Sequence, residues 1–239
     1  MLDLKLRTVG AYCGVLTFVS FVVGIVFMAI SGVQVLIPET GGNQTLGWIA
    51  DVHRASGLFF AGAWLVVLGG IFALVAIVGF YDALREAGQV MILAPVLAAV
   101  GMTLVTISHL IPIAMVYELV PRYPEADGAT QSSIGATADT LASLAHVTNY
   151  LGDALVWALV VPLLAFAILK TRAVPRWIGW LGVVTAVFAG WLGLLSPASS
   201  FIDNLTFIGF VGFFAFMASF GVAVLLQERI RKPGPASSL

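Results

Sequence analysis

Residues 55–80 read ASGLFFAGAWLVVLGGIFALVAIVGF, twenty-six positions without a charged side chain or a proline. As an α-helix rising 1.5 Å per residue this stretch extends roughly 39 Å, more than the ~30 Å hydrocarbon core of a bilayer. Apolar all round, it has no polar face to give to water, which predicts a membrane span and not the amphipathic helix of a soluble domain.

The same reading carried outward predicts five more spans, near 9–31, 90–117, 143–168, 177–198 and 204–227. The expected fold is therefore all-α, a polytopic bundle of six transmembrane helices forming a single domain over 1–231. A short disordered cytoplasmic tail is expected over 232–239, where proline, glycine and serine dominate. Composition agrees: 60% of the 239 residues are hydrophobic and only 10% charged, against roughly 25% charged in soluble domains, with a mean hydropathy of +1.05. A net charge of -1 gives no support to a nucleic-acid partner. The expected surrounding is the lipid bilayer. One cysteine, Cys13, lies inside the first apolar run, so there is neither a disulfide framework nor a cysteine metal motif, and it reads as a small core residue.

The first span follows Lys5 and Arg7, and Ala29-Ile30-Ser31 resembles a signal-peptidase site. The charge-free run from Thr8 to Pro38 is too long for a 7–15-residue signal core, so a retained span is expected. With the N-terminus inside, nine of the eleven basic residues fall in cytoplasmic segments and only Arg54 and Arg122 fall outside. By the positive-inside rule this predicts a plasma-membrane protein with both termini cytoplasmic. Trp177 and Trp180 read as anchors at the inner surface, and Trp48, Tyr117 and Tyr123 as anchors at the outer one, while Trp64 and Trp157 lie deeper and should pack.

Most connections are short. The outer segment 119–142, rich in small polar residues after Pro121 and Pro124, reads as a mobile loop or a weak surface helix, and 32–54 reads as a second outer connection with turn-forming Pro38, Gly41 and Gly42. Small residues such as Gly57 with Ala61, and Gly190 with Gly193, would let helices approach closely. Pro95, Pro112, Pro162 and Pro197 each remove a backbone donor and predict kinks. No three-plus-three inverted repeat of the transporter type stands out.

Chemistry is concentrated where polar side chains enter the membrane. In the fourth span His146, Asn149, Tyr150 and Asp153 stand at i, i+3, i+4 and i+7, one face of a helix. A carboxylate at a span centre costs ~2.5–3.5 kcal/mol on insertion scales, so Asp153 must face other helices or water. Depth counted from the expected span ends puts His109 of the third span level with Asp153, and the two are expected to interact directly or through water. His53, at the mouth of the second span beside Asp51 and Arg54, puts all three histidines in the outer half, whereas Glu118 is expected at the interface facing water.

Three readings of this stripe stay open. It is a hydrogen-bond network fixing helix register; or an outward-facing site for a small molecule, proton or ion, in a transporter, sensor or accessory subunit; or a metal or haem site of a membrane enzyme or redox subunit, with His53, His109, His146 and Asp153 as zinc ligands or paired histidines on haem iron. No H-E-x-x-H motif occurs, and no zinc or haem is expected outside the third reading. Ser108 beside His109, and Ser56 near His53, make poor nucleophile–base pairs because helical neighbours point ~100° apart. No phosphate-binding or dinucleotide motif is present.

Two segments carry a resemblance: Gly79-Phe80-Tyr81-Asp82-Ala83-Leu84-Arg85 at the end of span two, and the basic turn from Leu169 through Pro175-Arg176-Trp177 to Gly182. From the second span onward the chain resembles DUF4386, a bacterial family of small six-helix membrane proteins catalogued as a domain of unknown function. The resemblance implies a fold and a bacterial plasma membrane, and it carries no catalytic residue.

Overall fold

A computed structural model describes residues 5–33, 36–41, 43–198 and 200–231. The expected tail at 232–239 lies outside them. Among the described residues every element is helical: α1 (Leu6–Ser31), α2 (Asn43–Leu84), α3 (Leu93–Glu118), α4 (Gly128–Leu155), α5 (Val161–Thr171), α6 (Arg176–Thr185) and α7 (Ser200–Arg231), with short 3-10 turns between some of them. Two π-helical segments interrupt the series, Val156–Val160 joining α4 to α5 and Ala186–Trp191 following α6. Among the described residues six stretches are long and apolar enough to cross a membrane: Leu6–Ser31, Gly57–Ala87, Gln89–Arg122, Gly128–Thr171, Arg176–Leu195 and Leu205–Ile230.

The largest departure from expectation is α4. It begins at Gly128, so residues expected as a mobile loop or weak surface helix instead extend the fourth span continuously. The physical reason is that the small hydroxyl side chains satisfy themselves on the helix. Ser132, Thr137, Thr140, Ser143 and Thr148 each donate to the carbonyl four residues earlier, at 2.8–3.0 Å. Asp127 caps the first turn by accepting the Thr130 N–H at 2.8 Å. The 32–54 connection is also partly helical, because α2 starts at Asn43 and kinks at Ala55 (φ -126°, ψ 24°) before the apolar run.

The described residues pack as two compact units, one drawn from those within 5–18, 72–100 and 154–231 and the other from those within 19–71 and 101–153. In the first unit Gly10 and Gly79 bring α1 and α2 together: a Cβ built on either would lie 2.5 Å from the other's Cα. The π segments meet in the same unit. Gly190 leaves no room for a Cβ against the Trp157 carbonyl (2.5 Å), and the Trp191 indole donates to the Ala158 carbonyl at 3.1 Å. Ala158 is one turn before Pro162, whose missing N–H cannot serve that carbonyl, so a span proline is answered from a neighbouring helix. Trp157 packs on Phe210 and Phe213 as expected of a deep tryptophan. Trp177 and Trp180 are exposed, and Cys13 is buried.

In the second unit Trp48 is only 6% exposed and meets Phe59 edge-on at 5.6 Å, so it is a core residue and not the interfacial anchor expected. Segment 43–54 is the first part of α2, ahead of the kink at Ala55, and there Trp48 lies buried. Gly57 faces open space, and the close approach expected there is not made. Pro112 lies inside α3. Glu118 pairs with Arg122 at 2.8 Å, exposed as expected.

Candidate functional site

The polar stripe lies in the second unit, and its geometry follows from one glycine. A Cβ on Gly152 would lie 2.6 Å from the Gly101 carbonyl and 2.9 Å from the Val105 nitrogen, so α4 rests directly on the backbone of α3. Asn149 and Gly152 share the face turned to α3. One turn along that contact, Ser108, fully buried, places Oγ 3.0 Å from Asn149 Oδ1 and 2.7 Å from the Val105 carbonyl, sharing one proton between two acceptors. The Asn149 amide is thereby oriented, and its Nδ2 donates to Asp153 Oδ2 at 2.6 Å.

Ser108–Asn149–Asp153 is thus one chain of hydrogen bonds across two spans. Among the described residues the Asp153 carboxyl has no basic partner, and Asn149 supplies its hydrogen bond. Nearby, His109 Nδ1 is buried without a partner. Pro112 adds to the local polarity, since it cannot donate to the Ser108 carbonyl one turn earlier.

The direct His109–Asp153 contact is not made. Ser108 opposite Asn149, and Gly101 and Val105 opposite Gly152, set an antiparallel register that puts His109 level with Thr148 and not with Asp153. Five residues of helix separate the two levels, roughly 7 Å. Depth counted from Ser143 misplaced them because the helix does not begin there; it begins at Gly128. The serine set aside as a nucleophile turns out to be the α3 residue that reaches the stripe.

The outer part of the stripe is occupied structurally. His146 Nε2 lies 3.0 Å from the Pro38 carbonyl. A carbonyl can only accept, so Nε2 carries the hydrogen. Seven residues earlier on the same face, Asp139 accepts from the Gly41 N–H at 3.3 Å and from the Thr45 hydroxyl, which also lies 3.0 Å from the Glu39 carbonyl. Asp139 and His146 therefore fasten segment 38–45 to α4. Asp139 falls in the segment 119–142 expected as a loop or weak surface helix, although its spacing of seven from His146 puts it on the same helix face. Tyr150 is 39% exposed and His53 is exposed. The side chain of Ser56 lies outside the described residues.

Outside the spans, the Thr130 backbone N–H, helped by the Thr130 side chain, holds the Asp127 carboxyl below its ordinary range. Among the described residues no three His, Cys, Asp or Glu side chains converge as a set able to hold a metal ion. His53, His109, His146 and Asp153 do not form one ligand sphere, and His146 has already committed Nε2 to Pro38.

Among the described residues the arrangement offers a carboxyl without a counter-ion, an imidazole nitrogen without a partner, and an oriented serine–amide pair leading to the carboxyl. Such groups can exchange a proton or hold a small ligand through hydrogen bonds. A family model described as a domain of unknown function (DUF4386) matches residues 13–226, from within the first span to within the last. No curated protein and no solved structure matches the chain.

Proposed function

The chain belongs to the DUF4386 family, and from that premise we propose that it is a plasma-membrane protein that binds or passes a small molecule or proton at Asp153. Both termini then lie on the cytoplasmic side, a reading supported by nine of eleven basic residues in the segments this orientation puts inside. The site opens toward the extracytoplasmic half.

One observation carries the proposal: a span carboxyl whose bonded partner is the neutral amide of Asn149. If its purpose were only to fix helix register, an asparagine would serve without the ~2.5–3.5 kcal/mol insertion cost of aspartate. A carboxyl there with no balancing cation among the described residues supports chemistry that needs a removable proton or a negative charge. Ser108 and Asn149 are positioning residues, and among the described residues His109 Nδ1 is a buried nitrogen without a hydrogen-bond partner.

The test is a thermal-shift screen of the purified chain against small amines and polar solutes, comparing wild type with Asp153→Asn. Ligand at a hundredfold excess over its Kd stabilises the folded state by ~2.7 kcal/mol. The proposal expects at least one solute class to raise the melting temperature of wild type and not of the variant. Identical profiles count against it.

A further inference from the structure

The first unit carries two adjoining cavities that the site above does not use. One, of about 460 Å3, is polar and lies among Lys5, Arg7, Asp82, Arg85, Glu86 and Glu228. These residues stand at the start of α1, the end of α2 and near the end of α7, which a chain of alternating spans brings to one membrane surface. The other, of about 520 Å3, is an apolar groove between α6 and α7, running from Ile230 past Val222 to Ala218 with Trp177 at its rim. Gln227 lines both, and its Nε2 is held by the Ala173 carbonyl at 2.7 Å. The twelve helical steps from Ala218 to Ile230 make the groove roughly 18 Å long, close to the hydrocarbon depth of one leaflet, about 15 Å.

The charges of the polar cavity say what fits. Arg7 pairs with Glu228, and Arg85 lies 3.7 Å from Asp82. Among the described residues this leaves Lys5 and Glu86 without an ion pair, and Arg7 Nε buried without an acceptor. Lys5 and the Arg7 guanidinium offer positive charge to an anion and Glu86 an acceptor to a cation, a zwitterion's complement. The geometry points to a bound phospholipid with a primary-amine headgroup: its phosphate beside Lys5 and the Arg7 guanidinium, its ammonium on Glu86, one acyl chain in the groove under Trp177. A quaternary ammonium has no N–H to give Glu86, and an anionic glycerol headgroup has no cation for it.

Native mass spectrometry of the full chain, delipidated and offered equal amounts of phosphatidylethanolamine, phosphatidylcholine and phosphatidylglycerol, tests this. The expected result is retention of the ethanolamine lipid about tenfold over the others, the worth of one charge-assisted hydrogen bond. Glu86→Gln, an exposed change that leaves the fold intact, should erase that preference, and Val222→Trp should reduce adducts of all three lipids by obstructing the groove. Equal retention, a preference for the anionic lipid, or a preference unchanged in Glu86→Gln overturns the inference.

Discussion

Asn149 donates its side-chain N–H to the Asp153 carboxylate over 2.6 Å from one turn earlier on the same face of α4, while its own carbonyl oxygen faces the Ser108 hydroxyl of α3 at 3.0 Å. The amide is therefore used at both ends, and each member of the chain depends on the next. Removing one link leaves a part-buried polar atom without its partner, which makes the chain testable by substitution.

Ser108→Ala leaves Asn149 Oδ1 without its donor and should destabilise the protein by about 1–3 kcal/mol. In a double-mutant cycle with Asn149→Leu the two changes should be non-additive by more than about 0.5 kcal/mol. Chemical denaturation in detergent measures both, and simple additivity would show that the two side chains do not communicate.

Gly152→Ala drives a methyl to within 2.6 Å of the Gly101 carbonyl. Backbone cannot swing aside as a side chain can, so α3 and α4 must part, at a cost of about 1–3 kcal/mol. Gly57→Ala, where a Cβ meets nothing within 4 Å, should be neutral or stabilising by up to about 1 kcal/mol. Melting temperatures of the two variants should shift in unequal measure, the first well below wild type.

Segment 38–45 is fastened by His146 and Asp139. Asp139→Ala should speed hydrogen exchange at the Gly41 amide and expose the connection to proteases, and His146→Ala should do so more weakly, since it removes one hydrogen bond, worth about 1 kcal/mol. Exchange at α4 residues beyond Ser143 should stay as in wild type. Unchanged exchange at Gly41 would refute the fastening.

The Asp127 cap predicts a pH dependence with a defined sign. Its folded pKa is lowered by the Thr130 N–H, so its contribution is present above the ordinary carboxyl value of 3.8 and is lost as pH falls through the folded value. Amide exchange in the first turn of α4 should accelerate relative to a mid-helix amide as the solution is acidified across that range. Asp127→Asn keeps a capping oxygen and should flatten the dependence.

The six spans were legible from hydropathy because the bilayer makes the same demand of every span, length without charge. Where α4 begins was not legible. Residues 128–142 are small and polar, the composition of a loop, yet they form helix with Ile134, Gly135, Ala138 and Ala142 buried and the hydroxyls of Thr137 and Thr140 satisfied on the helix itself. That one missed boundary shifted the depth of Asp153 against His109 and hid Asp139 from the stripe. The face 146, 149, 153 was visible at helical spacing, yet which side chain of α3 meets it depends on a register set by Gly152, a packing fact with no local signature. The π segments at 156–160 and 186–191 were foreshadowed by Pro162 alone.

The central claim is that the Asp153 carboxyl exchanges a proton or engages a ligand and is more than a register pin. Infrared difference spectroscopy of the purified chain across a pH step measures this at the group itself. The account predicts a carboxyl stretching band that changes with pH, disappears in Asp153→Asn and shifts in Ser108→Ala, where the hydrogen-bond chain is cut. A difference spectrum identical in wild type and Asp153→Asn would contradict it and leave the Ser108–Asn149–Asp153 chain a purely structural element.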